Sequence, residues 1–427
     1  MRFFSIALII LLLTGCIPNP EQTPTPPPVV VATPEPSPVV VTPTAGSPSK
    51  DIRTLSIWIP QEFDPALKSP ASILLGKTVA EFEAQNEGVK VELRVKADSG
   101  VSGLMESLAL TAAAAPDAMP SLVLLTRSQM EETARKGIIF PYDGLSITLD
   151  ETDWYPFARE LASFQDDTYG LPLTGDALVL AMRTNKQPTQ SPTWEDIQNV
   201  GNTVLFAAAD PQATVPLALY RSAGGVTQNV QLLPQIQSAE LEKTLNLLAT
   251  GAEKNIFPGW LINYQSDKQV LDMFANQQGG LVITWLNNYL SVKPNDTAIF
   301  PLPSLGTESA TLASGTVWAL TDTSVERREL SVRLAEYLTR SEFLSQWNLL
   351  NNSIPPRPSS LTSWPDSPLR AQVNQIALSA SLRPPADVIT SLGPAVQEAT
   401  ILILKKQSDP AKAAQTAVER LSAPATK

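Results

Sequence analysis

Residues 169–185, YGLPLTGDALVLAMRTN, decide how the rest of the chain is read. Gly170 and Pro172 open the stretch, and Ala177 to Met182 then form an uninterrupted apolar run. A short apolar run bounded by Gly and Pro reads as a buried strand. One carboxylate, Asp176, stands at the junction. Solubility explains an acid there poorly, so Asp176 is the first candidate for chemistry.

Upstream, RTLSIWIP alternates Leu55, Ile57 and Ile59 with Ser56 and Trp58 and stops at Pro60, as a strand does. ILLGKTVAEFEAQNEG sets Leu75, Val79 and Phe82 at helical spacing and ends near Gly88, a C-cap candidate. VKVELRV reads as a strand, LMESLALTAAAA as a helix, SLVLLT as a strand apolar on both faces, and SQMEETARKGII as a helix. Downstream, SPTWEDIQNVG carries a capping box, Thr193 with Asp196 three residues on. SAELEKTLNLLATGAEKN is amphipathic through Leu241, Leu245 and Leu248, and SDKQVLDMFANQQGGLVIT reads as helix, glycine pair and buried strand. GTVWALT is a further strand, ERRELSVRLAEYLTRSEFLSQWNLL one long helical stretch, and residues 369–421 are helical except at Pro384, Pro385 and Pro410. This alternation predicts an α/β fold with mainly parallel sheets flanked by helices. The roughly 375 residues after residue 50 exceed one ordinary core, so two lobes are expected.

The formal net charge is −11 and histidine is absent. The first argues against a nucleic-acid partner, which needs a basic face. The second removes the usual general base, triad member and metal ligand. The adjacent acids Asp166 and Asp167 do not form a glycosidase pair, since neighbours on a strand point to opposite faces. The expectation is therefore a protein that is not an enzyme, with no cofactor and no metal.

The single cysteine, Cys16, follows Arg2 and the apolar run from Phe3 to Leu13. That run is too short to span a bilayer, which needs ~20 apolar residues, and has the layout of a secretory signal. LTGC, residues 13–16, resembles the lipobox of bacterial lipoproteins, which implies lipidation at Cys16 and anchoring outside the cytoplasm. Segment 1–16 is then a signal peptide. Eleven prolines follow from Pro18 to Pro48, so 17–50 reads as a Pro-rich, disordered linker.

The order of motifs resembles the family 1 extracellular solute-binding proteins of ABC importers, the group that includes maltose-binding proteins. The resemblance rests on TLSIWIP, FEAQNEGVKVEL, AAAAPDAMPSLVLL, DDTYGLPLTGDALVLAMRTN, PTWEDI and FANQQGGLVITW, in that order. It implies a two-lobed, type II periplasmic-binding-protein-like fold with hinge crossings near 171–175, 300–305 and 351–352. The lobes would comprise 51–174 with 305–350, and 175–304 with 351–427. It further implies a monomer that captures a small solute, a sugar or polyol, and delivers it to ABC permease subunits in the membrane. A transporter-independent sensor or adhesion lipoprotein would have the same fold and pocket, and a carboxylate-based surface glycosidase is the enzyme alternative.

Clefts in such sheets open at the carboxyl ends of strands. The candidates are Gln61 and Glu62, Arg127 and Ser128, Asp176, Asp210 and Gln212, and Trp285. By resemblance, Asp176, Asp210 and Trp285 fall where sugar-binding relatives bond hydroxyls or stack a pyranose. Each has a duller reading: Trp285 as core, Asp210 as a turn before Pro211, Arg127 as an i,i+4 partner of Glu131. Trp58, Trp194 and Trp347 are assigned to packing, and Trp318 and Trp260 are left open. Maltose-binding relatives carry aromatics where this chain has Gln212 and near Gly393, which points away from a long maltodextrin.

Overall fold

The computed structural model describes residues 53–100, 102–184 and 190–422. The expected signal peptide with Cys16 and the linker 17–50 lie outside the described residues.

The organising element is one long strand. Going along the chain, the strands are β1 (Thr54–Pro60), β2 (Lys90–Lys96), β3 (Leu122–Thr126), a small hairpin β4 (Ser163–Phe164) and β5 (Asp167–Thr168), and β6 (Gly170–Arg183). They continue as β7 (Val204–Leu205), β8 (Leu281–Trp285), β9 (Thr297–Pro301), β10 (Leu312–Leu320) and β11 (Ser381–Leu382). The main order is β2-β1-β3-β10-β6-β8-β7, with β11 on β10 and β9 on β6. The first half of β6, 170–177, pairs with β10, and 178–182 pairs with β8. One strand thus closes the sheet of the first lobe and forms the centre of the second, where β8 and β9 flank it. The switch falls next to Asp176.

The sheets are mixed, which corrects the expectation of mainly parallel ones. β1 runs parallel to β2 and β3, and β7 to β8, but β10 is antiparallel to β3 and β6, and β6 to β8 and β9. The cause is the crossing itself. Chain that leaves one lobe along β6 must return along β9 and β10, and a returning strand beside an outgoing one is antiparallel.

Helices fill both faces for the reasons the sequence suggests. Pro70–Gln85 starts at Ser69, whose Oγ accepts from Ser72 N at 3.1 Å, and buries Leu75, Val79 and Phe82. It stops before Gly88, which serves the following turn with φ +79°. The capping box forms, with Asp196 Oδ2 accepting from Thr193 N at 2.9 Å and Thr193 Oγ1 from Asp196 N at 3.1 Å. The long stretch after β10 divides into Val325–Tyr337 and Ser341–Leu350. Pro394 lies inside the helix Ala386–Leu404. That helix is long and apolar enough to cross a membrane, but Val388, Leu392, Val396 and Ile403 are buried in the core.

Two contacts hold this arrangement. Asp322, just past β10, is fully buried and takes both Nε and Nη2 of Arg327 at 2.6 and 2.7 Å, plus Ser331 Oγ and Ser324 N at 3.0 Å. Gly393 meets the turn at 210–212 so closely that a Cβ would run into the Pro211 carbonyl.

Arg327→Met leaves Asp322 buried without its cation, with only Ser331 Oγ and Ser324 N still donating to it, so chemical denaturation is expected to show a loss of about 3–5 kcal/mol. Gly393→Ala forces the Asp210 turn to move, and thermal unfolding should report a loss of about 1–3 kcal/mol.

Candidate ligand-binding site

Two adjoining cavities, about 430 and 160 Å³, share the ring of Trp285. The larger is walled by Glu62 and Phe63 after β1, Thr126 at the end of β3, 174–176 of β6 and 314–316 of β10, all from the first sheet. Trp285, Asn287 and Asn288 close it from the second sheet. The smaller lies on the second lobe's side, between Asp210, Gln212, Asp267 and Trp285. A bigger hollow of about 540 Å³ near Thr184, Lys293 and Asp296 sits roughly 25 Å further along β6, away from the strand ends that make the cleft.

Asp176 forms the floor. Its Oδ1 accepts from Ala177 N at 2.8 Å and Asn287 N at 3.0 Å. Burial pushes its carboxyl up to about 7; the backbone N–H groups of Asn287, Ala177 and Leu286 oppose that, and nearby Asp267 adds to it. A carboxylate has about four acceptor positions, so capacity remains for a ligand's hydroxyls.

Trp285 ends β8 and precedes the helix Leu286–Val292. It is half-buried, and its ring borders both cavities. Asp267 fixes it: Oδ2 accepts from Trp285 N at 3.0 Å, Thr284 Oγ1 at 2.8 Å and Asn288 Nδ2 at 2.8 Å. Asn287 ties the same loop to the last crossing, donating through Nδ2 to the Asn351 carbonyl at 3.0 Å.

The other expected residues divide. Glu62 lines the larger cavity, its carboxyl raised by burial and then by Asp98. Gln61 beside it is exposed and lines neither cavity, because the turn after β1 directs only Glu62 and Phe63 inward. Arg127 is corrected to a structural role. Buried, it donates through Nε to Glu131 Oε1 at 2.6 Å and through Nη1 to the carbonyls of Glu160, Leu161 and Ser163. Ser128 is exposed and shares a hydrogen bond with Thr126, which takes its place in the wall. Asp210 borders the smaller cavity, yet its carboxylate is spent on the turn: Oδ1 accepts from Gln212 N at 2.9 Å, and Oδ2 from Thr214 N and Oγ1 at 3.0 and 2.6 Å. Gln212 Oε1 accepts from Arg383 Nη2 at 2.9 Å.

Sequence reasoning missed Arg383, Asp267, Asn287 and Asn288. The two asparagines lie just beyond Trp285, where a search that stopped at the strand end does not look. Asp267 offered only the signal of an acid at a helix start. Arg383 follows β11, a two-residue strand with no periodicity to read. Burial lowers the Arg383 pKa, while Asp210 and Glu131 push the other way. Trp318 is fully buried, and Trp260 is exposed, edge-on to Tyr264. Among the described residues, no group of three or more acids, histidines or cysteines could hold a metal ion.

The architecture matches solved structures. A cyclo/maltodextrin-binding protein complexed with maltotetraose aligns with TM-score 0.70 and 18% identity, over 87% of this chain and 96% of that one. The maltose-binding periplasmic protein MalE of Listeria monocytogenes, in complex with maltose, aligns with TM-score 0.69 and 15% identity over 87% and 97%. The sugar-binding protein MalE of Xanthomonas citri gives 0.68 and 18% over 86% and 96%. At these identities the likeness is one of fold. Comparison with curated proteins returns no match. The family model for bacterial extracellular solute-binding proteins matches residues 77–372, and the chain belongs to that family.

Proposed function

We propose that this protein captures a small carbohydrate or polyol between its two lobes, without turning it over, and delivers it to the permease of an ABC transporter. The observation that carries the reading is that the half-buried Trp285 and the Asp176 carboxylate line one cavity, together with Glu62, Phe63, Arg383 and a set of hydroxyl and amide side chains. An apolar face for a sugar ring and charged acceptors for its hydroxyls are what carbohydrate recognition requires. The fold neighbours crystallised with maltose and maltotetraose support the same class. Gln212 and Gly393 supply no second or third aromatic platform, so a ligand of one or two rings fits this reading better than a long maltodextrin. Crossings at 171–175, 300–305 and 351–352 would let the lobes close on it, and Cys16 would hold the protein, as a monomer, on the outer face of the cell membrane.

Thermal unfolding against a panel of sugars, polyols, amino acids and peptides tests the function. A saturating ligand at ~100 times its dissociation constant stabilises by ~2.7 kcal/mol. A sugar-specific shift, with the sugar recovered intact and the shift lost in Trp285→Ala, is the expected result. A shift with amino acids or peptides alone sinks the carbohydrate assignment, and cleaved sugar sinks the assignment to binding.

Asp176 adds a pH dependence. Its folded-state carboxyl, at about 7, lies above the ordinary carboxylate value, so its contribution to stability is full below about pH 4 and declines as pH rises to about 7. Ligand hydroxyls need the ionised form, so affinity should strengthen as pH rises through about 7. Calorimetric titrations between about pH 6 and 8 should show this slope, and Asp176→Asn should flatten it.

A further inference from the structure

We propose that the first lobe carries a second site, outside the cleft, that takes a phosphate or phosphodiester between Arg333 and Arg340. The site is a cavity of about 400 Å³ between the helices Pro70–Gln85 and Val325–Tyr337 and residues 148–151. Three guanidinium groups line it, those of Arg333, Arg340 and Arg357, against two carboxylates, Glu151 and Glu336. Asp153, whose Oδ2 lies 3.7 Å from Arg357 Nη1, is a third carboxylate beside the cavity, so among the described residues the lining guanidinium groups left without a carboxylate are those of Arg333 and Arg340.

Both carboxylates and one arginine are already engaged. Glu336 Oε1 accepts from Ser146 Oγ at 2.6 Å and Thr148 Oγ1 at 3.1 Å. Arg357, only 7% exposed, donates through Nη1 to Glu151 Oε2 at 2.5 Å and through Nε to the Thr339 carbonyl at 3.0 Å, with its face over Trp154 at 4.0 Å. Glu151 and Asp153 both pair with its Nη1, so its charge is met within the protein and it has little left to donate.

Arg333 and Arg340 are different. Arg340 stacks over the Tyr337 ring at 3.4 Å, and among the described residues its guanidinium has no carboxylate partner. Arg333 donates through Nη2 to Asn86 Oδ1 at 2.5 Å and likewise has no carboxylate partner. Tyr337 is itself fixed, its hydroxyl accepting from Gln85 Nε2 at 3.1 Å. Stacking holds a guanidinium in one plane and leaves its edge donors pre-organised, the geometry that matches the oxygens of phosphate. Arg340 covers one face of the Tyr337 ring, and the Phe82 ring meets Tyr337 edge-on, so both aromatic rings of the cavity are engaged within the protein.

Phosphate could reach the site free in solution or as a lipid headgroup. On the anchoring proposed above, the protein works at a membrane, so a phosphodiester headgroup is one source.

Phosphorus NMR on the full chain in a zwitterionic detergent tests this, with inorganic phosphate and glycerophosphoglycerol as separate probes. The expected result is saturable line broadening of at least one probe, with affinity about tenfold weaker in Arg340→Gln and in Arg333→Gln. Both substitutions are at exposed positions, and an unchanged unfolding temperature would establish that the variants are folded. Response to phosphate alone assigns a soluble ligand, and response to glycerophosphoglycerol assigns the headgroup; both support the site. No saturable broadening with either probe, or equal broadening in wild type and variants, overturns it.

Discussion

The cleft depends on where one carboxylate finds its hydrogen bonds. Asp176 sits at the point where β6 passes from the first sheet to the second, and its Oδ1 joins the strand to the backbone N–H of Asn287. Asp267 does the same from the other side, holding Thr284, Trp285 and Asn288 with a single oxygen. Between them the two acids fix the loop that carries the aromatic ring. Burial disfavours charge on Asp176 and the N–H groups favour it, and the balance lands near neutrality. In the function proposed above, a ligand offering hydroxyl protons would tip that balance, and the group that positions the loop would also respond to what the loop binds.

Much of the fold was legible because its elements are periodic. The strand after Pro172, the capping box at Thr193 and Asp196, and the leucines at 241, 245 and 248 all lie where alternation and helical spacing put them. Strand direction was not legible. Whether β10 runs with or against β3 depends on which lobe the chain has just left, and no local pattern records that. β11 escaped notice because two residues carry no period.

About half of the expected residues line the two candidate cavities, and those that do not line them share a cause. In an α/β sheet, the carboxyl end of a strand is also where the next helix begins. A polar residue placed there can face a ligand or serve the helix, and the sequence looks the same in both cases. Thr126 caps the helix Arg127–Arg135 and also lines the cavity. Arg127, one residue on, is buried against three backbone carbonyls and Glu131. Asp210 closes its own turn onto Thr214. Only burial and partners separate such residues.

Those spent residues also shape what the cleft can hold. Asp210 fixes the turn on which Gly393 rests, and that contact leaves no room for a side chain at 393. Gln212 Oε1 is engaged by Arg383, so although Gln212 borders the smaller cavity its carbonyl is already partnered. What stays open is the space on either side of Trp285. One aromatic face with carboxylates at its edges can stack one ring and bond its substituents. A chain of rings would need further platforms, and the turn at 210–212 offers Gln212 and no aromatic side chain. In the function proposed above, the packing of Gly393 on that turn, which excludes a larger side chain, would also favour a ligand of few rings.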